Sequence, residues 1–165
     1  TGQLVCDPND DSRSDKFATK EYHGKTEGKR KWAIQTMLNT AKAAKNLGVE
    51  IVNGFTGSSI WHMIYSFPPV SDEIIENGFE YFAKMWNPIF DEFDKNGIKF
   101  ALEVHPTEIA FDIITAKRAL KAVNYRKTFG FNFDPLVKTS IISATSDFRA
   151  YSINLGSNGC KVGSP

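Results

Sequence analysis

Three short apolar segments constrain the fold of this 165-residue chain more than any other feature. They cover residues 49–55, 98–104 and 128–133, and the first two follow helix-forming segments that stop at Gly48 and Gly97. Short apolar runs flanked by glycine are typical of buried strands in a parallel sheet. The alternation of helix, glycine turn and buried strand therefore predicts an α/β fold built from parallel βα units.

Apolar residues at helical spacing predict three helices. The first covers residues 29–47, the second opens after Ser71 as its N-cap and ends at Asn96–Gly97, and the third covers residues 109–123. Pro88 lies inside the second pattern and should kink or restart that helix, because proline lacks the amide donor.

Composition excludes several classes of protein. With 41% hydrophobic and 24% charged residues, the chain is globular rather than disordered. No apolar run approaches the roughly 18 residues of a membrane span. Lys and Arg (20) nearly balance Asp and Glu (19), and the net charge of +1 favours neither nucleic acid nor membranes as partners. Cys6 and Cys160 form no disulfide framework, which indicates a reducing compartment and a cytoplasmic protein.

Candidate chemistry gathers where the predicted strands end, because functional groups of parallel α/β folds collect at the carboxyl ends of strands. Glu103 ends the second strand after an apolar run, and Asp134 follows the third. Neighbouring strands lie roughly 4.8 Å apart, so both carboxylates could share one divalent ion. Oxygen ligands favour Mg²⁺ or Mn²⁺, and a nearby imidazole extends the choice to Co²⁺ or Zn²⁺. Alternatively, Glu103 pairs with a buried Lys or Arg and Asp134 caps a turn.

Other polar and aromatic residues near these strand ends permit two interpretations. His105 and His62 are candidates for binding a ligand or substrate, the alternative being hydrogen-bonded structural histidines. Trp61, Trp86 and the Phe-rich face of the second helix fit core packing better than a stacking platform. The segment 54–59 lacks a Walker lysine, so a helix N-cap is favoured there over a phosphate cradle.

Five motifs carry a resemblance to the sugar phosphate isomerase/epimerase family, within the xylose isomerase-like TIM barrel superfamily. The motifs are Gly54–His62, Ser66–Pro69, Trp86–Ile89, Ala101–Asp112 and Phe129–Pro135. The resemblance implies a partial TIM (β/α)8 barrel with parallel strands and outer helices, covering roughly strands 4 to 6. The apolar patch Leu4–Cys6 could by itself be the end of a strand, and together with Asp7 it resembles the segment just after the third strand of the family.

The same resemblance implies a metal-dependent isomerase or epimerase. In that family one divalent metal is held by Glu, Asp, His and a second Glu, and a proton moves through an ene-diolate of a sugar or sugar phosphate. Glu103 corresponds to a metal ligand and catalytic acid or base, and Asp134 to a second metal ligand. His105, Trp61 and His62 would line the substrate site.

The chain also departs from the family pattern. Family members continue Asp-Pro-Ser-His-Leu, whereas Leu136 and Val137 follow Asp134-Pro135, so the expected histidine is absent. We predict a partial barrel domain over residues 1–135 and an unmatched, irregular tail over residues 136–165. A complete barrel needs eight strands and typically about 250 residues. We therefore expect a fragment whose open sheet edges favour association, including homo-oligomers.

Two other functions stay open. One is a catalytically silent βα fragment that needs a partner. The other is an apurinic endonuclease-like phosphodiesterase, against which stand the near-neutral charge and the missing histidine.

Overall fold

The computed structural model describes residues 1–6 and 12–132, and the backbone of three short segments between residues 150 and 162. Its helices are α1 (Thr26–Asn46), α2 (Asp72–Asn96) and α3 (Ile113–Ala122). Its strands are β1 (Ile51–Gly54), β2 (Lys99–Glu103), β3 (Phe129–Asn132), β4 (Ala150–Tyr151), β5 (Ile153–Asn154) and β6 (Lys161–Val162). Short 3-10 turns cover Gly2–Val5, Ser12–Phe17, Lys20–Tyr22 and Trp61–Met63.

The main sheet has the strand order β1-β2-β3-β4 with every pair parallel, and β5 and β6 form a separate antiparallel pair. Helix α2 connects β1 to β2, and α3 connects β2 to β3. The predicted parallel βα units are thus confirmed. In the register, Gly54 of β1 pairs with Leu102 of β2, and Glu103 pairs with Asn132 of β3. All these residues lie at the carboxyl ends of their strands.

The aromatic face of α2 forms the centre of the core, as predicted. Trp86 and Phe90 are fully buried, and the Trp86 ring centroid lies 4.9 Å from that of Phe100 in β2. Phe90 lies 5.2 Å from Phe129 in β3. Helix α2 ends at Asn96 and is followed by Gly97, whose φ of 72° is the left-handed conformation that glycine adopts without strain. One helix therefore packs on two neighbouring strands.

Helix α2 does not restart at Pro88, so that part of the prediction is wrong. The helix is continuous from Asp72 to Asn96 with Pro88 inside it. Trp86, Ile89 and Phe90 on either side of the proline are all fully buried. The burial of these large side chains outweighs the single hydrogen bond that proline removes, since tertiary packing supplies most of the stability of a protein helix.

Two local predictions need correction. Leu4 and Val5 form a 3-10 turn rather than the end of a strand; they are buried in a segment that packs against α1. Helix α3 begins at Ile113 and not at residue 109, because Asp112 caps it. The Asp112 carboxylate accepts from the Thr115 amide at 2.7 Å, and the Thr115 hydroxyl accepts from the Asp112 amide at 3.0 Å.

Arg126, in the connection from α3 to β3, attaches this part of the chain to α2. Its guanidinium donates to the Asn87 backbone oxygen at 3.2 Å, to the Asn87 side chain at 3.1 Å and to Asp91 at 2.8 Å. It also contacts the Asp94 carboxylate and lies over the Phe90 ring. The entry to β3 is thus held on the surface of α2.

Several predictions concern residues outside the described part of the chain. Asp134, Pro135 and Cys160 are among them, as is most of the predicted tail. Of that tail, residues 150–151 form β4 beside β3. Over the described residues, no helix combines the length and apolar character that crossing a bilayer requires.

Candidate functional site

Glu103 lies at the carboxyl edge of the main sheet. It is the last residue of β2, it is half-buried, and Asn132 at the end of β3 is its Cα partner in the register. Within residues 1–6 and 12–132, no Lys or Arg forms an ion pair with Glu103. The alternative in which a buried cation neutralises this carboxylate therefore finds no support in that part of the chain.

Asp134, the predicted partner of Glu103, lies outside the described residues, two positions after Asn132 in the sequence. Among the residues that the structure describes, no three or more His, Cys, Asp and Glu side chains form a group suited to a metal ion. That search did not include Asp134. The shared metal site of Glu103 and Asp134 stays a prediction.

His105 is exposed and follows Glu103 by two residues. Its Nδ1 contacts the backbone oxygen of Pro106, and its ring meets the Phe55 ring edge-on with 5.9 Å between centroids. Phe55 follows β1, so this contact joins the loops that leave two adjacent strands. His105 thus lies at the same edge of the sheet as Glu103.

Trp61 and His62 line a cleft of about 230 Å³ together with Tyr65, Pro106 and Phe111. Trp61 is 40% exposed, so the interpretation of this tryptophan as core is wrong. It lies in a short 3-10 turn of the connection between β1 and α2, away from the aromatic face of α2 that forms the core. The structure therefore brings Trp61 and His62 together with Pro106, the neighbour of His105.

Sequence reasoning missed two polar residues beside this cleft. The Tyr65 hydroxyl donates to the Asp112 carboxylate at 2.7 Å, although Tyr65 is 70% exposed. This hydrogen bond is the main cause that raises the pKa of Tyr65, with burial and the Asp112 charge adding to it. Tyr65 stands in an apolar stretch of the sequence, and only the fold shows that Asp112 lies within reach of it.

Glu108 is a third missed residue and is fully buried. Its Oε2 accepts hydrogen bonds from the amides of Thr56 and Gly57, both at 2.7 Å, and from the Thr56 hydroxyl at 3.1 Å. Burial raises the pKa of Glu108, and the hydrogen bonds from Thr56 and Gly57 partly offset that rise. The sequence did indicate that Glu108 could be buried, because it directly precedes the apolar pair Ile109–Ala110, just as Glu103 directly follows an apolar run.

A family model agrees with the parallel βα units. The family model described as xylose isomerase-like TIM barrel matches residues 17–136, which is 120 of the 165 residues. No curated protein matches the chain. A crystal structure of the IOLI protein with a binding zinc atom aligns with a TM-score of 0.49 and 19% identity, over 86% of this chain and 42% of that one. The chain thus spans less than half the length of that protein.

Proposed function

Because the chain belongs to the xylose isomerase-like TIM barrel family, we propose that it is part of a metal-dependent isomerase or epimerase of a sugar or sugar phosphate. One observation carries the proposal. Glu103 and Asn132 are partners at the carboxyl ends of adjacent parallel strands, and Asp134 follows Asn132 by two residues. Glu103 therefore lies beside the strand end from which the sequence continues to Asp134, at the edge where TIM barrel enzymes carry their active sites.

Glu103 and Asp134 would hold a divalent metal ion. The donor chemistry fits this role, because carboxylate oxygens suit Mg²⁺ and Mn²⁺ and Glu103 has no cationic partner in the described chain. When bound, the ion polarises the carbonyl and hydroxyl oxygens of an open-chain sugar. Glu103 also serves as the acid or base that moves a proton between adjacent carbons of the sugar, through an ene-diolate.

The cleft lined by Trp61 and His62 would receive the sugar. The indole of Trp61 offers an apolar face for the carbon–hydrogen side of the sugar, while His62 and His105 offer hydrogen-bonding nitrogens for its hydroxyl groups. The Tyr65 hydroxyl lies at the same cleft and is oriented by Asp112. This combination of one apolar face and several polar groups suits a polyhydroxylated substrate.

Titration with Mn²⁺ alone tests the metal site, with binding followed by calorimetry on the full chain. We expect Glu103→Gln and Asp134→Asn each to weaken Mn²⁺ binding by at least about tenfold, because each removes a charged ligand. Glu50→Gln is the matched control, since Glu50 is an exposed carboxylate at the amino end of β1. Equal Mn²⁺ affinity in the wild type and both site variants would contradict the assignment.

A second experiment separates the proposed reaction from the other two functions. Incubation of the Mn²⁺-loaded chain with D-fructose in D₂O should place deuterium on the carbons next to the carbonyl, and Glu103→Gln should abolish this exchange. Nicking of abasic DNA would favour the phosphodiesterase. Mn²⁺ binding without deuterium exchange or nicking would favour the silent fragment.

A further inference from the structure

Glu108 joins the two loops that form the edge of the candidate site. It belongs to the loop between β2 and α3, and it is the only fully buried acidic side chain among the described residues. Three hydrogen bonds to its Oε2 come from Thr56 and Gly57 in the loop after β1, and the Gln3 side chain also lowers its pKa. A side chain of one loop thus supplies the acceptor for the backbone of the other.

The segment Thr56–Gly57 is held from two further directions. The Trp86 indole nitrogen donates to the Thr56 backbone oxygen at 3.1 Å, from helix α2. Gly57 has a φ of 69°, and a Cβ there would lie 2.2 Å from the Gln3 backbone oxygen. These contacts fix the segment against α2 and the amino-terminal turn. The hydrogen bonds to Glu108 link it to the loop that carries His105.

The backbone of Glu108 and the residue before Thr56 both contact His105, a candidate substrate residue. The Glu108 amide donates to the His105 backbone oxygen at 3.1 Å, and the His105 ring meets Phe55, the neighbour of Thr56. Trp61 follows a few residues after Gly57 in the same connection. Because Glu108 itself is fully buried, it can influence a ligand only through these neighbours.

We propose that Glu108 is a positioning residue that docks the loop after β1 onto the loop after β2, and so sets His105 next to the cleft that Trp61 lines. The inference rests on the proposed function in one respect, namely that these two residues contact the substrate. Docking of the loops is a property of the chain itself and can be measured without substrate or metal.

The chemistry of the buried carboxyl group predicts which substitutions preserve the docking. Oε2 accepts the three hydrogen bonds from Thr56 and Gly57, which leaves Oε1 outside this contact between the loops. Burial raises the pKa of this group, because the ionised form loses hydration inside the protein. Glutamine offers the same acceptor in the same shape, whereas leucine has similar volume and no acceptor.

Hydrogen exchange and NMR on the full chain test the docking. In the wild type we expect the Thr56 and Gly57 amides to exchange as slowly as core amides of β2. Glu108→Leu should accelerate both by at least about tenfold and shift the His105 ring signals, while Glu108→Gln keeps both rates within about threefold. Leu120→Ala, a core truncation in α3, is the matched control; it should lower stability and leave the His105 ring signals unchanged.

Three results would overturn the proposal: fast exchange of Thr56 and Gly57 in the wild type, no effect of Glu108→Leu, or an equal shift of the His105 signals in Leu120→Ala. If Glu108→Leu does not fold, the wild-type exchange rates and the Glu108→Gln spectra still test whether Glu108 docks the two loops.

Mn²⁺ titration separates this proposal from the proposed function. Glu108→Leu should retain Mn²⁺ affinity within about threefold, and absence of Mn²⁺ binding in the wild type would defeat the proposed function alone.

Discussion

Gly78 determines how closely α2 approaches the loop that carries Trp61 and His62. A Cβ at Gly78 would lie 2.3 Å from Cγ2 of Ile60 and 2.7 Å from both Cγ1 and Cδ1. Ile60 is buried and directly precedes Trp61. Gly78→Ala therefore forces a β-branched side chain, or the loop behind it, to move.

Two opposing effects set the size of the change. Alanine favours the helix over glycine by about 1 kcal/mol. Inserting a methyl group into a packed core costs about 1–3 kcal/mol, and three atoms within 3 Å favour the upper part of that range. We expect Gly78→Ala to lower the free energy of unfolding by about 1–2 kcal/mol, which corresponds to a fall in Tm of about 2–8 °C for a chain of this length.

Urea unfolding of a double-mutant cycle measures the effect. Ile60→Ala alone should cost about 2–5 kcal/mol, because it leaves a cavity. In the double variant the new methyl group at residue 78 partly fills that cavity, so the two substitutions should couple by about 1–3 kcal/mol. Asn77→Ala, at the exposed neighbouring position of the same helix, is the control and should be neutral or slightly stabilising. Additive free energies, or a stabilised Gly78→Ala, would refute the reasoning.

Three further predictions concern the loops of the site. Because burial holds the pKa of Glu108 above its ordinary 4.5, the folded chain binds more protons than the unfolded chain above pH 4.5, and stability falls as the pH rises through the folded pKa. Glu108→Gln should remove this loss of stability at higher pH. If urea unfolding shows the same pH dependence for the wild type and Glu108→Gln, the prediction is contradicted. Asp112→Ala should lower the free energy of unfolding by about 1–2 kcal/mol, because it removes the cap of α3. The control Asp72→Ala removes an acidic residue from the first turn of α2 without removing a cap, and it should cost less than about 1 kcal/mol when both variants are compared by thermal unfolding. Gly57→Ala should cost at least about 2 kcal/mol, because its φ is positive and its Cβ would meet backbone; a variant as stable as the wild type in urea would count against that close approach.

Local sequence patterns predicted most of the fold, because each buried helix or strand repeats its apolar residues at a characteristic spacing. The run that ends at Asn96–Gly97 had both helical spacing and a glycine stop, and α2 ends there. The buried strand around Phe100 was also evident as an apolar run between polar residues. The continuity of α2 through Pro88 was not predictable, since it depends on side chains that pack against the sheet on both sides of the proline.

The candidate site was predictable only in part. Glu103 could be placed at a strand end because apolar residues precede it, and parallel pairing brings the end of β3 beside it. The contact of Glu108 with Thr56 joins residues that are 52 positions apart, and no local pattern indicates such a pair. The exposure of Trp61 depends in the same way on where the connection after β1 lies relative to the loop after β2.

The attachment of Arg126 to α2 has a consequence for how this chain tolerates changes in length. Arg126 lies three residues before β3 and is bound to Asn87 and Asp91, so helix α2 fixes where that strand begins. Insertions between α3 and Arg126 can bulge outward while the strand keeps its place. An insertion between Arg126 and Phe129 would instead slide β3 by one residue, reversing which side chains face α2 and moving Asn132 away from Glu103.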